Sequence, residues 1–235
     1  MPLPSASLLD TVPGTAARAH FRSRSFLAHR GERPRTLWLI EEGWASGYKL
    51  LRDGRRHISR FYIPGDLCDP SWLAADGVDQ LVVSITPIKA IALDRARIET
   101  RLHSDPAFSG RWALEGFARL RAQSEWLVTL GCKSATERLS QLICELFCRL
   151  AASDRVEEDR CEFPLSQQDM ADFTGMTPVH VCRTLKELKE HGLIELRRRR
   201  LRVLDFDRLA KLCGFECAYL AAEAAGPLPR LAAAA

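Results

Sequence analysis

The apolar pattern of this chain changes period once, at Asp105, and that change limits each half to a different kind of fold. Before it, apolar residues come in short runs at 37–40, 48–51, 58–63, 81–85 and 90–93. The breaks between them carry Gly43, Asp53-Gly54, Pro64-Gly65-Asp66 and Asp76-Gly77. Short runs closed by Gly- and Asp-bearing turns predict an antiparallel sandwich or roll, with a hairpin at Asp53-Gly54. After Asp105, a good N-cap followed by Pro106 at the first helical position, the spacing is helical to about Leu130.

Along that helix Pro106, Gly110, Ala113, Phe117, Leu120, Ser124, Leu127 and Gly131 fall at alternating steps of four and three. Such a stripe suits one seam of a paired helix, and it equally suits a helix packed on the β half. A second helix opens at Ser134 with Glu137 three residues on, a capping box, and has a core face of Leu139, Leu142, Ile143, Leu146, Phe147 and Leu150. The charged stretch 153–160 then reads as a linker.

The 235 residues are 46% hydrophobic, enough for one large domain or two of ordinary size. The net charge of +4 is mild, so the placement of the basic residues matters more than their sum, and they gather near the end. No run approaches the roughly 18 apolar residues of a membrane span, and the opening MPLPSASLLD lacks a secretion signal. A cytoplasmic protein without a membrane partner is expected, and its eight cysteines are expected as reduced thiols.

Residues 163–204 carry three signals in the order of a winged helix-turn-helix. Ser166 with Asp169 starts a short helix, Thr174-Gly175-Met176 makes a turn, and Thr177-Pro178 starts a second helix through Val181, Leu185 and Leu188 that Gly192 ends. Strands at 193–196 and 201–204 flank Arg197, Arg198, Arg199 and Arg200, a hairpin with a basic tip. In such a unit the first turn of the second helix reaches base edges in the major groove and outlying cations hold phosphates. Thr177, Pro178, Val179, His180 and Arg183 are therefore the candidate base readers, Arg183 foremost because a guanidinium bonds bidentately to a guanine edge. Ser166, Gln168, Lys186, Lys189 and the four wing arginines are the candidate phosphate contacts.

The segment from Phe163 to Leu185, and Phe61-Tyr-Ile-Pro-Gly-Asp-Leu-Cys-Asp with its Pro-Gly-Asp turn, resemble the Crp/Fnr superfamily of transcription regulators. Gly43-Trp44-Ala45, Asp53-Gly54-Arg55-Arg56 and Trp126-Leu-Val fit the same pattern, so the resemblance spans about 25–205. It implies an α+β protein: an antiparallel β-roll of the jelly-roll, cyclic-nucleotide-binding type (25–104), a dimerisation helix (105–132) and a winged helix-turn-helix (133–206). It also implies a homodimer joined through Ala113, Phe117, Leu120, Ser124, Leu127 and Gly131, bound to a two-fold symmetric site on double-stranded DNA, with RNA polymerase as a further partner. The Pro-, Ser- and Ala-rich start reads from composition as a flexible arm (1–24), and 207–235 as a short helix and an Ala/Pro-rich disordered tail.

The chain departs from that pattern in three places. Cyclic-AMP-binding members follow the Pro-Gly-Asp turn with Gly-Glu for the ribose and carry Arg-Ser on the next strands for the phosphate, where Asp69-Pro70 and about Gln80-Leu81 stand here. A buried phosphate without its arginine is strongly disfavoured, so cyclic AMP is not expected as a ligand. No cysteine precedes Cys68, which removes the N-terminal iron-sulfur ligands of oxygen-sensing members. The glutamate that many members carry in the first recognition turn is Val179.

The i, i+4 pairs Cys144/Cys148 and Cys213/Cys217 suit core packing better than a metal. Cys182, inside the recognition helix beside Arg183, is a candidate redox site whose oxidation would place bulk and charge next to phosphate. His20, His29, His57 and His103 share no ligand spacing. No metal, cofactor or catalytic residue is expected: a thiol catalyst using Cys68 with His57 or Asp69 lacks every accompanying motif. The competing reading is an effector-dependent regulator that binds DNA only after a small ligand occupies the β-roll.

Overall fold

The computed structural model describes residues 17–73, 78 and 80–220; the predicted Asp76-Gly77 turn and most of the expected N-terminal arm and C-terminal tail lie outside them. The first unit holds seven strands: β1 (Arg18–Phe21), β2 (Phe26–Ala28), β3 (Thr36–Glu42), β4 (Ala45–Leu50), β5 (Arg56–Tyr62), β6 (Leu81–Ser84) and β7 (Ile88–Asp94). They form two antiparallel sheets, ordered β1-β7-β3 and β2-β6-β4-β5. Leu27, Ile40, Ala45, Tyr62, Cys68, Trp72, Val82, Ile88 and Ala90 fill the roll. Gly43 turns the chain between β3 and β4 at φ +90°, and a Cβ there would lie 2.1 Å from the Pro87 carbonyl oxygen, so no other residue fits.

Among the described residues six α-helices follow or interleave: α1 (Arg95–Ser104), α2 (Pro106–Cys132), α3 (Ala135–Ala152), α4 (Gln167–Thr174), α5 (Pro178–Glu190) and α6 (Phe206–Cys213). Asp105 caps α2 by accepting from the Phe108 N–H at 3.0 Å. The Ser134–Glu137 capping box opens α3 as the spacing predicts. A third sheet, ordered β10-β11-β9-β8, joins β8 (Val156–Glu157), β9 (Arg160–Glu162), β10 (Ile194–Arg197) and β11 (Arg200–Val203).

Four expectations are corrected. The arm does not extend to residue 24, because Arg18–Phe21 pairs with Ile91–Ile88 as an edge strand. α1 was invisible to periodicity because its inner face has few apolar side chains. Arg95 anchors it instead, donating to the carbonyls of Trp72 at 2.7 Å and Leu73 at 3.0 Å. The charged stretch after α3 is a hairpin rather than a linker: Glu158 adopts φ 57°, and Cys161 points inward opposite Leu201. The helix-turn-helix unit also does not end at residue 206, since α6 packs Leu209 and Cys213, one helical turn apart, against α3.

The two units share one core. Trp44, Ile58, Phe61 and Ile63 of the roll belong to the same apolar cluster as Leu142, Leu146, Met170 and Phe173, and Phe61 stacks on Phe173 with ring centroids 4.9 Å apart. Each such side chain fully withdrawn from water contributes about 1.5–3 kcal/mol. A polar joint runs through this core. Arg149 of α3 donates to the Phe61 carbonyl at 2.9 Å and to Asp66 of the Pro-Gly-Asp turn, and pairs with Glu145. Glu145 in turn accepts from Trp126 Nε1 of α2 at 2.6 Å and from the Tyr219 hydroxyl at 3.0 Å. Burial pulls the Arg149 pKa down, but Asp66 and Glu145 outweigh it and hold the guanidinium charged.

Candidate DNA-binding surface

α4 and α5 form the helix-turn-helix. Ser166 caps α4, its hydroxyl accepting from the Asp169 N–H at 3.1 Å while Asp169 accepts from the Ser166 N–H at 3.0 Å. The helix ends at Gly175, whose φ of +68° is the left-handed conformation that glycine takes without cost. Thr177 then caps α5 by accepting from the His180 N–H at 3.2 Å, with Pro178 in the first turn. Val181, Thr184, Leu185 and Leu188 are the buried face of α5, and that spacing leaves the opposite side free.

That free side holds the predicted base readers. Thr177, Val179, His180 and Arg183 are exposed and Pro178 is half-buried; Val179, an apolar residue, keeps 61% of its surface in water. Cys182 is exposed on the same helix. Lys186 and Lys189 are exposed one and two turns further on, Lys186 within 3.6 Å of Glu190. Ser166 and Gln168 are exposed but engaged: the serine hydroxyl caps its helix and Gln168 Nε2 donates to Asp172 at 2.7 Å.

The wing is the β10–β11 hairpin, pairing Ile194 with Val203 and Arg197 with Arg200. Arg198 and Arg199 form its two-residue turn at φ 48° and 62°, and all four arginines are exposed. Positive φ at both central positions matches the twist of a two-residue hairpin, where Asn-Gly is the favoured pair. Two arginines therefore occupy the tip against local preference.

The seam of α2 is exposed throughout. Ala113, Phe117, Leu120, Ser124, Leu127 and Gly131 all face solvent, with Phe117 at 60%, Leu120 at 61% and Leu127 at 74%. Phe108, Glu115, Ala118, Ala122 and Thr129 form the buried side of the same helix. Of the two packing schemes open to this stripe, the structure rules out packing on the β half.

In the roll, Gln80 and Asp69 bond to each other at 2.7 Å, and Ser59 donates to the Gln80 carbonyl oxygen. Sequence reasoning missed the contacts that fasten the roll to the helix-turn-helix. Arg56 of β5 binds Asp172 at 2.7 Å and Asp169 at 3.0 Å, both on α4. Those partners are over a hundred residues away, and no local signal announces the pairing.

Comparison with known proteins agrees with this architecture. Residues 137–212 match the family model described as a Crp-like helix-turn-helix domain, and 18–105 match a cyclic nucleotide-binding domain. The chain is 31% identical to the nitrogen fixation regulation protein FixK of Azorhizobium caulinodans over 88% of its own length and 82% of that protein's. It is 28% identical to the transcriptional activator protein FnrL of Cereibacter sphaeroides over 74% of its own length and 71% of that protein's. Among solved structures, FixK2 from Bradyrhizobium japonicum superposes with a TM-score of 0.76 at 24% identity, covering 85% of this chain and 98% of that one. With a roll, a long α2 and a winged helix-turn-helix in this order, the chain belongs to the Crp/Fnr family of DNA-binding transcription regulators.

Proposed function

We propose that this regulator binds a two-fold symmetric operator as a homodimer, paired along α2, with the first turn of α5 in two successive major grooves about one DNA turn apart. The observation that carries this is the seam on α2: Phe117, Leu120 and Leu127 keep 60%, 61% and 74% of their surface in water, on a helix whose other side already has its core. Arg183 reads a guanine edge, with Thr177, Pro178, Val179 and His180 completing the base contacts. Lys186, Lys189, Arg197, Arg198, Arg199 and Arg200 neutralise phosphates, with Ser166 and Gln168 contributing from the N-terminus of α4. Bound there, the dimer acts on RNA polymerase.

Cyclic AMP does not fit the roll as its effector. Gln80, standing where a phosphate-binding arginine would be needed, has its amide committed to Asp69 and Ser59, and Trp72 and Tyr62 fill the interior beside it. Oxidation of Cys182, exposed on the recognition helix, is the proposed signal: an added charged oxygen group next to phosphate weakens binding.

One observation favours a second reading, dependence on a small effector. A cleft of about 280 Å³ opens where β5, α2, α3 and α4 meet, lined by His57, Arg60, Trp126, Leu130, Arg149 and Phe173. The Arg60 Nε is enclosed without a hydrogen-bond partner, and burial beside Arg119 and Arg149 pulls its pKa down to about 10. An anion seated there would pair it.

Selection of bound sites from a random duplex library, with reduced and with peroxide-treated protein, tests these readings. An inverted repeat recovered from reduced protein alone supports both the dimer and the Cys182 switch, and recovery under both conditions removes the switch. Single half-sites would refute the dimer, and no recovery from either sample would leave the effector-dependent reading in its place.

A further inference from the structure

The contact that Arg56 makes between the roll and the helix-turn-helix continues beyond its two partners. Arg56 Nε donates to Asp172 Oδ2 at 2.7 Å, and Nη2 donates to Asp169 Oδ1 at 3.0 Å. Each carboxylate spends its other oxygen inside α4. Asp172 Oδ1 accepts from Gln168 Nε2 at 2.7 Å, while Asp169 Oδ2 accepts from the Ser166 hydroxyl at 2.6 Å and from the Ser166 N–H at 3.0 Å. The i, i+3 and i, i+4 spacings make these side chains neighbours on one side of the helix. Two relays therefore leave one guanidinium, and they end on Gln168 and Ser166.

The guanidinium is itself held in place. It lies over the Tyr48 ring at 5.3 Å, it is partly buried, and both carboxylates are more buried than it is. A planar guanidinium serves two carboxylates at once with fixed geometry, which a lysine ammonium does not. The far end of α4 is secured separately, where Phe173 stacks on Phe61. Arg56 thus governs the N-terminal end of the helix, where Ser166 and Gln168 are exposed.

We infer that Arg56, a residue of the roll, is a positioning residue for DNA binding, holding Gln168 through Asp172 and Ser166 through Asp169 in the orientation that meets phosphate. This role rests on the phosphate contacts proposed for Ser166 and Gln168. Neither of those side chains carries a charge, so orientation rather than attraction decides whether they reach the backbone. Without Arg56, Asp172 and Asp169 lose the cation that fixes them against the roll, and Gln168 and Ser166 lose the anchors they bond to.

Charge and position predict opposite results at Asp172. Full-length protein carrying Arg56→Gln, Asp172→Ala or Gln168→Ala is titrated against a random-sequence duplex by fluorescence anisotropy at low salt; phosphate contacts are independent of sequence, so no operator is needed. Each substitution should weaken binding about fivefold or more. Asp172→Ala removes a negative charge, and by charge alone it would tighten binding. Adding Gln168→Ala to Arg56→Gln should weaken binding by less than about twofold more, because both act through one contact. Asp172→Ala leaves the roll and the Ser166–Asp169 capping box intact, which covers the case of Arg56→Gln folding poorly. Unchanged or tighter binding by Asp172→Ala overturns the inference, as do losses that multiply in the Arg56→Gln, Gln168→Ala pair. A Gln168→Ala defect with Arg56→Gln at the parental affinity overturns it alone, whereas a neutral Gln168→Ala removes the phosphate role of Gln168 and the inference with it.

Discussion

Replacing Phe117 with alanine should dissociate the proposed α2-paired dimer without unfolding the protomer, and the size of the effect follows from its exposure. Fully burying a phenylalanine contributes about 1.5–3 kcal/mol. Phe117 keeps 60% of its surface in water in the isolated chain, so pairing has about 1–2 kcal/mol per protomer still to gain. A two-fold axis places the residue in the interface twice, which makes about 2–4 kcal/mol per dimer. At 1.4 kcal/mol per tenfold, the dimer dissociation constant should weaken roughly 30- to 700-fold. Alanine is the best helix former, and Phe117 lies mostly in water within the chain, so far-ultraviolet circular dichroism and the monomer fold should hold. Sedimentation equilibrium of the DNA-free protein reads the constant directly. Enlarging Ala118, one residue away on the buried side, should instead lower the melting temperature. A dissociation constant within threefold of the parent's for Phe117→Ala would place the interface elsewhere and refute the reasoning.

Arg183→Ala should lower affinity for the selected operator about 5- to 150-fold while leaving non-specific binding nearly unchanged; Lys189→Ala should weaken both and reduce the slope of log K against log salt by about one, as titrations at several salt concentrations would read. Arg199→Gly relieves a left-handed non-glycine residue at the wing tip and should raise the melting temperature while weakening DNA binding, and a loss of both would argue against strain there. The carboxyls of Glu137 and Asp105 are held below their usual values of about 4.5 and 3.8, Glu137 by the Ser134 hydroxyl and N–H, Asp105 by the Phe108 N–H. A depressed folded value means their capping contribution is complete above the unfolded pKa and is lost as pH falls through the folded one. Helicity and melting temperature should therefore decline below about pH 4.5, and Glu137→Gln should flatten part of that decline. Arg149→Met leaves Asp66 and Glu145 buried without their cation and should cost about 3–5 kcal/mol in urea unfolding, with Asp66→Asn, Arg149→Met losing less than the sum.

The helix-turn-helix was legible in the sequence because each of its boundaries is a local event. Ser166, Gly175, Thr177-Pro178 and Gly192 fix caps and turns through their own side chains or backbone freedom, within three or four residues of where they act. The roll's main strands were legible for a similar reason, since turn formers bracket each run. What stayed hidden depends on distant partners. α1 is anchored by Arg95 on the carbonyls of Trp72 and Leu73, and periodicity cannot see an anchor made by a guanidinium. Phe26 to Ala28 and Arg18 to Phe21 are too short to show alternation, and they become strands only because β6 and β7 offer them edges. The α2 stripe was visible as a stripe, but which side of it the roll would cover was a tertiary question, decided by Phe108 and Ala122.

The geometry of the joint has a consequence for how such a protein is controlled. Between the 27-residue α2 and α3 stand two extended residues, Lys133 at φ −88°, ψ 148° and Ser134 at φ −65°, ψ 168°, so helix continuity does not fix the angle between them. Side chains fix it. Trp126 on Glu145, Lys133 on Gln141, and Arg149 on Asp66 tie α3 to α2 and to the roll. If α2 lies along the dimer axis, the separation of the two recognition helices is set by these bonds, while the residues on α5 set only which bases are read. Changes at Arg183 should then alter sequence preference, whereas changes at the joint should weaken every operator together. A signal acting on the Pro64-Gly65-Asp66 turn would need no path to the proposed base-reading side chains, because displacing Asp66 would displace the partner of Arg149 on α3.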